Sequence, residues 1–175
     1  MLGRPHGDYD AHAITNVIVP GYLAVCAAGD VDPLLALAQL IHETGCLSSW
    51  WSQRPRRNPA GIGVTGRTSH TRPPIGTWEI QGNIWVEGRR FDTWAADAIP
   101  AHVGRLLAYA LPEGGETQPQ RRLIGQALSY RRLPGMYRGI APTWGALGGT
   151  WAVPGNDYGD RLADIARAIM HELFW

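Results

Sequence analysis

Asp32-Pro33-Leu34-Leu35-Ala36-Leu37-Ala38-Gln39-Leu40-Ile41-His42-Glu43-Thr44-Gly45 is the stretch whose reading decides the fold. It carries its own start and stop signals. Asp32 suits a helix N-cap, where its side-chain oxygen can take orphan backbone donors, and Pro33 suits the first helical position, where a missing N–H costs nothing. Gly45 is placed to end the run, because glycine enters the left-handed region without a Cβ clash. Leu34, Leu37, Ala38 and Ile41 form one apolar stripe, and Leu35, Ala36 and Leu40 carry apolarity round most of the remainder. A helix of that kind is predicted to be buried. Gln39 and Glu43 interrupt it, at a spacing that puts both on one face. Glu43 falls in the last turn, near the negative end of the helix dipole and in partly desolvated surroundings. Both conditions favour the protonated carboxyl that a general acid requires. The plainer reading is a loop cap or an arginine partner, and for a glutamate at a helix end taken by itself that reading is the commoner one.

Outward from this helix, 175 residues suffice for one domain with a real core. A net charge of +1 gives no electrostatic argument for nucleic acid as a partner. All 16 basic residues are arginine, which assigns no function. Cys26 and Cys46 are too few for a disulfide scaffold; they form one bridge or, the expectation here, two buried thiols. The opening residues, Met1 to Asp8, show no signal-peptide core, and no stretch reads as long enough to cross a membrane.

The pattern Ile14, Val17, Ile18, Tyr22, Val25 predicts a helix over about 12–28, which Pro20-Gly21 should kink or split. After the central helix, 48–52 reads as a further helical turn and 54–66 as a loop punctuated by proline and glycine. Two β-prone runs around Gly82-Asn83 predict a hairpin over 77–87. Helix is expected again from Phe91 to Ala110, with Pro100 in conflict, and over 120–131. A Gly- and Trp-rich loop covers 134–156. Asn156 or Asp157 is then placed to cap a last helix carrying Leu162, Ile165, Ile169 and Leu173. The architecture expected is α+β and mostly helical, with a helical lobe, a small β-hairpin lobe and a cleft between them. Residues 1–31 read as a leading segment and first helix of the same domain, and 32–175 as its catalytic part.

Six glutamates occur, and only Glu79 and Glu87, on the hairpin, are placed to face Glu43 across a cleft. Two carboxyls across a cleft are what glycoside hydrolysis needs, one to protonate the leaving oxygen and one to serve water or the oxocarbenium centre. Trp50, Trp51, Trp78, Trp85, Trp144 and Trp151 offer flat surfaces for sugars, some of them core. Other chemistries have less support. His42-Glu43 lacks the second histidine of a helical zinc motif, no phosphate-binding glycine loop is present, and no serine elbow or activated thiol setting appears. No metal or cofactor is expected.

These residues resemble a known family. Ala38-Gln39-Leu40-Ile41-His42-Glu43-Thr44-Gly45, then Ser49, then Asn58-Pro59-Ala60-Gly61-Ile62, is similar to the signature of glycoside hydrolase family 73, the bacterial cell-wall glucosaminidases. That signature runs roughly AQxxxE[ST]GWGxS and then NLFGIK. Thr77-Trp78-Glu79, ahead of Phe91-Asp92-Thr93-Trp94, is similar to the family's TxE hairpin before its FRxY helix. The run from Gly149 to Tyr158 is similar to GYATDPxYA. The resemblance spans about 32–166 and implies a lysozyme-like fold and hydrolysis of the β-1,4 bond after N-acetylglucosamine in peptidoglycan. It implies Glu43 as general acid and Glu79 as second carboxylate, with Gln39, Trp50, Asn58, Trp78, Trp151 and Tyr158 at the sugar site. The expected partner is peptidoglycan, the expected state a monomer. Cys46-Leu47 stands where the family has Trp-Gly, and Ala60 and Gly63 where it has Phe and Lys, so altered sugar subsites are expected.

Three readings follow: a glucosaminidase, a lytic transglycosylase that works with one glutamate, and a glycan-binding or phage structural module without turnover. Inversion, retention and assistance by the substrate's acetamido group all stay open. Action on the wall by a chain without a visible export signal fits either a phage or prophage lysin or a domain of a secreted protein.

Overall fold

In the computed structural model, which describes residues 6–174 and side chains as far as His171, the first helical rod runs unbroken past a proline. Residues 1–5 and 175, and the side chains of residues 172–174, Leu173 of the expected final stripe among them, lie outside that description. The rod comprises α1 (Ala11–Ala13), a π segment (Ile14–Ile18) and α2 (Val19–Gly29). Sequence predicts a kink or split at Pro20, and the structure corrects this. Val19 N–H bonds back to the Ile14 carbonyl, an i to i+5 ring. Widening the turn just ahead of Pro20 carries the preceding carbonyls away from the pyrrolidine ring, so the rod continues. Its 19 residues have a mean hydropathy of 1.5, the length and composition of a membrane-spanning segment, contrary to the expectation that no stretch is long enough. In the fold, however, Ile14, Ile18, Tyr22 and Cys26 turn one face of it into core.

The helix predicted around Glu43 forms as its punctuation dictates: α3 is Pro33–Thr44. The Asp32 carboxylate accepts from the N–H groups of Leu34 at 2.8 Å and Leu35 at 3.4 Å. Gly45, at φ +56°, ends it, and Cys46 and Leu47 follow in the same left-handed region at +59° and +65°. Those three residues break the chain's direction, so 48–52 forms hydrogen-bonded turns around Ser49 and Ser52 rather than the expected helical turn.

The hairpin forms as β2 (Trp78–Gln81) and β3 (Ile84–Glu87), once β1 (Thr68–Ser69) has been laid down ahead of it. The antiparallel order is β1-β3-β2. The extra strand β1 has too little pattern of its own to be read from sequence. It is held by Glu87, whose Oε2 accepts from Thr65 Oγ1 at 2.5 Å and Arg67 Nη1 at 3.4 Å.

Pro100 is accommodated as Pro20 is. A π segment (Trp94–Ala98), capped by Thr93, precedes α4 (Ile99–Ala110), and Ile99 N–H bonds to the Trp94 carbonyl. Phe91, expected to begin this helix, is instead buried in extended chain, its N–H bonded to the Arg56 carbonyl at 2.8 Å. α5 (Gln118–Tyr130) starts two residues earlier than expected because Thr117 and Gln120 form a capping box. Two 3₁₀ turns (Gly135–Tyr137 and Gly145–Leu147) cross the Gly/Trp loop into α6 (Tyr158–Phe174).

One contiguous core joins Tyr9, Ile18, Tyr22, Leu40, Val103 and Leu162. It is organised by α3 lying between α2 and α6, with α4 crossing behind. Both cysteines are free thiols, Cys26 buried and Cys46 half-buried, and burial pushes the Cys26 thiol up to about 12.

Candidate active site

Glu43 is half-buried, one residue before the end of α3. Its Oε1 accepts hydrogen bonds from the Tyr158 hydroxyl and from Trp151 Nε1, the latter at 3.2 Å. Tyr158 opens α6 and Trp151 lies in the loop before it, so the last part of the chain folds back to orient a side chain from the first third. Two donors on one oxygen fix the carboxyl plane. Oε2 accepts no hydrogen bond among the described residues, which makes it the oxygen free to meet a substrate.

Behind Tyr158 a buried chain of polar groups runs across three helices. Gln39 Nε2 donates to the Tyr158 hydroxyl oxygen at 2.7 Å, and Gln39 Oε1 lies 2.8 Å from His102 Nε2. His102 Nδ1 lies 2.7 Å from the Tyr22 hydroxyl. The direction of every bond follows. With its amide nitrogen on Tyr158, Gln39 must accept from His102 Nε2–H. Burial pushes His102 down to about 3, so the ring is neutral and Nδ1 accepts from Tyr22. Tyr158, already accepting from Gln39, gives its own proton to Glu43. Burial, reinforced by the Glu43 charge, drives the Tyr158 hydroxyl far above its usual range, and burial does the same to Tyr22. Each member is satisfied, which makes such a network rigid.

Gln39 is therefore not free to touch a sugar: it is fully buried, both ends of its amide are spent, and it acts through Tyr158. Asn58 calls for the same correction. It is fully buried; Nδ2 donates to the carbonyls of Ile62 at 2.8 Å and Arg89 at 2.9 Å. Its Oδ1 accepts from Ile62 N–H at 2.8 Å and Ala60 N–H at 3.3 Å. With four bonds made internally, Asn58 shapes the 58–64 loop. Trp78 is packed under the hairpin with Nε1 bonded to the Ile75 carbonyl at 2.8 Å, and so offers no open face. One face of Trp50 is covered by the Arg56 guanidinium, 3.7 Å from the ring centroid.

Glu79 sits on β2 opposite Val86, half-buried, with no hydrogen bond or ion pair among the described residues; its charge reaches Arg56. Glu87, opposite Trp78, is spent on β1. Hence Gln39, Glu43, Trp151 and Tyr158 come together in one bonded cluster, whereas Trp50, Asn58, Trp78 and Glu79 belong to the loop-and-hairpin side. Among the described residues no hydrogen bond or ring contact joins the two groups. A cleft of about 150 Å³ lies beside Trp151, between the 60–64 loop and Arg105, Tyr109 and Arg131; neither Glu43 nor Glu79 lines it. Sequence reasoning missed His102 and Tyr22. A lone histidine in an apolar run looks the same whether it is packed idly or wired to a site.

No family model matches the sequence, and no curated protein matches it. Among solved structures, the catalytic domain of the autolysin Auto from Listeria monocytogenes is similar in fold, with a TM-score of 0.52 at 15% identity over 93% of this chain and 86% of that one. The likeness is one of fold, and this chain has the lysozyme-like α+β architecture, a helical lobe and a small antiparallel sheet flanking a cleft.

Proposed function

We propose that the chain is a peptidoglycan hydrolase that cleaves the β-1,4 bond after N-acetylglucosamine, with Glu43 as the general acid. The observation that carries this reading is the Glu43 carboxyl: one oxygen is clamped by Tyr158 and Trp151, while the other is free at the end of a buried helix. In this reading Oε2 delivers a proton to the leaving glycosidic oxygen, and Glu79 on the hairpin serves as base toward water or steadies the positive charge developing on the sugar. The fold shared with an autolysin catalytic domain supports wall glycan as the substrate class.

A second reading, a lytic transglycosylase, is favoured by one observation: Glu79 shares no hydrogen bond with the Glu43 cluster among the described residues. Digestion of purified peptidoglycan with the wild type, Glu43→Gln and Glu79→Gln, followed by mass spectrometry of the fragments, separates the two. Reducing-end N-acetylglucosamine together with loss of activity in both variants is the expected result. Anhydro-muramic ends, with Glu79→Gln still active, would establish the transglycosylase. Full activity of Glu43→Gln would sink both.

A further inference from the structure

We propose that the cleft beside Trp151 is a carboxylate-binding subsite, in which Arg105 and Arg131 hold an acid group carried by the muramic acid unit while the glycan lies at Glu43. The inference rests on the hydrolase reading and adds a recognition element to it. The cleft is bounded by Ala60, Gly61 and Gly63 on the loop side and by Arg105, Arg131 and Trp151 on the helical side, with no acidic residue in its wall. Arg105 comes from α4, and Arg131 follows the last residue of α5. The Arg105 Nη1 donates to the Arg131 carbonyl at 3.1 Å, which brings the two side chains to one place.

Neither guanidinium has a carboxylate partner among the described residues. Some arginines of this chain are paired, Arg161 with Asp157 at 2.7 Å and Arg138 with Glu116 at 3.7 Å, and others are not; what sets Arg105 and Arg131 apart is that both line one cleft. Burial pulls the Arg105 pKa down, and the charge of Arg131 adds to that effect. Arg105 is half-buried and Arg131 is exposed, so one partly desolvated charge lies beside a like charge at the mouth of the cleft, and an anionic ligand there would offset both. The small residues opposite leave room for it. A Cβ on Gly63, at φ +77°, would lie 3.2 Å from the Arg89 nitrogen and 3.7 Å from Arg131 Nη1, and one on Gly61 would meet nothing within 4 Å.

Guanidinium groups match the planar, two-oxygen geometry of a carboxylate. Trp151 ties the cleft to the chemistry, because the indole that walls it also donates to Glu43. In peptidoglycan the acids within reach of a glycan bond are the peptide's own carboxylates or, where the peptide has been removed, the lactyl carboxylate of muramic acid.

The test uses soluble glycan strands in three forms: with peptides, with the peptide carboxylates chemically amidated, and with the peptides removed by an amidase. Binding is measured by calorimetry on Glu43→Gln, and cleavage on the wild type. Strands with free carboxylates are expected to bind at least about tenfold tighter than amidated strands. Adding Arg131→Gln, or independently Arg105→Gln, should bring that ratio close to one, and Arg131→Lys should leave an intermediate ratio because it keeps charge without the fork. Tight binding of peptide-free strands assigns the acid to the lactyl group, and its loss assigns the acid to the peptide; both support a carboxylate subsite. Binding of the peptide-bearing and the peptide-free strands that is in both cases no tighter than binding of the amidated strands, or an undiminished preference in both arginine variants with melting curves unchanged, overturns it. If the wild type binds and cleaves all three forms alike, the subsite falls while the hydrolase reading stands. If it binds and cleaves none of the three, both fall.

Discussion

Tyr158 turns the positions of Gln39 and His102 into the orientation of Glu43, because its hydroxyl accepts from one side and donates to the other. Tyr158→Phe removes a donor from Oε1 and leaves the buried Gln39 amide without its acceptor. Loss of a hydrogen bond to a charged group amounts to roughly 1.5–3 kcal/mol, so kcat on purified peptidoglycan should fall about 10- to 100-fold with KM little changed. Steady-state kinetics beside a circular dichroism spectrum checks this, and an unaltered kcat would remove Tyr158 from the mechanism. The turn after α3 carries a second prediction. Cys46 and Leu47 sit at φ +59° and +65°, where a side chain costs about 1–2 kcal/mol. Cys46→Gly relieves that strain and gives back part of it as chain entropy, so unfolding should require about 0.5 kcal/mol more. Leu47→Gly relieves the same strain but empties a fully buried site, and should lower stability by about 2 kcal/mol or more; denaturant titration of both variants gives the signs. At this scale the shared helical face of Gln39 and Glu43 was legible in the sequence, and both side chains bond to Tyr158. It did not reveal that Gln39 and Asn58 spend their hydrogen bonds internally, since a polar residue type says nothing about where its partners are.

The two proline-bearing rods solve one problem in one way. Each has a five-residue π segment, with a proline two residues after its end, and the residue two beyond that proline, Tyr22 or His102, enters the buried chain toward Glu43. From sequence the prolines read as kink or break sites, because periodicity assumes a constant 3.6-residue turn and a π segment changes the register locally. Helix punctuation was far more readable: Asp32, Pro33 and Gly45 act as expected at the ends of α3. Packing between rods was not readable at all, and glycines show why. Gly104 and Gly125 are both helical glycines, yet a Cβ on Gly104 would lie 2.1 Å from the Leu123 carbonyl oxygen, whereas one on Gly125 meets nothing within 4 Å. Gly104→Ala should therefore cost about 2–3 kcal/mol by prying α4 from α5, while Gly125→Ala should add about 0.5–1 kcal/mol through helix propensity. Urea midpoints of the pair decide it, and a stabilised Gly104→Ala would mean that the two helices do not meet there.

At the scale of the whole molecule, the layout of helical lobe, hairpin and cleft was legible because amphipathic periods and turn residues specify it. The chain of groups that crosses α2, α4, α3 and α6 was not, because it depends on a three-dimensional crossing of rods far apart in sequence. That crossing makes the fold's stability depend on a neutral histidine. His102 is lowered from 6.5 to about 3 by burial, so the native protein binds fewer protons than the unfolded chain between those values. Its contribution is complete above the unfolded value and is lost as pH falls from 6.5 toward 3, at up to about 1.4 kcal/mol per pH unit. His102→Gln lacks this titration. It should be less stable than the wild type at pH 7, because a flexible amide replaces the packed ring between Tyr22 and Gln39, but the difference should shrink by about 2–3 kcal/mol at pH 4.5. Urea unfolding of both proteins at the two pH values measures that change, and the comparison cancels every other titrating group they share. A gap that stays constant would mean that His102 is solvated or already charged in the native protein. In that case the fixed direction of the hydrogen bonds from Tyr22 to Glu43 would no longer hold, because a doubly protonated ring donates at both nitrogens and cannot accept from Tyr22.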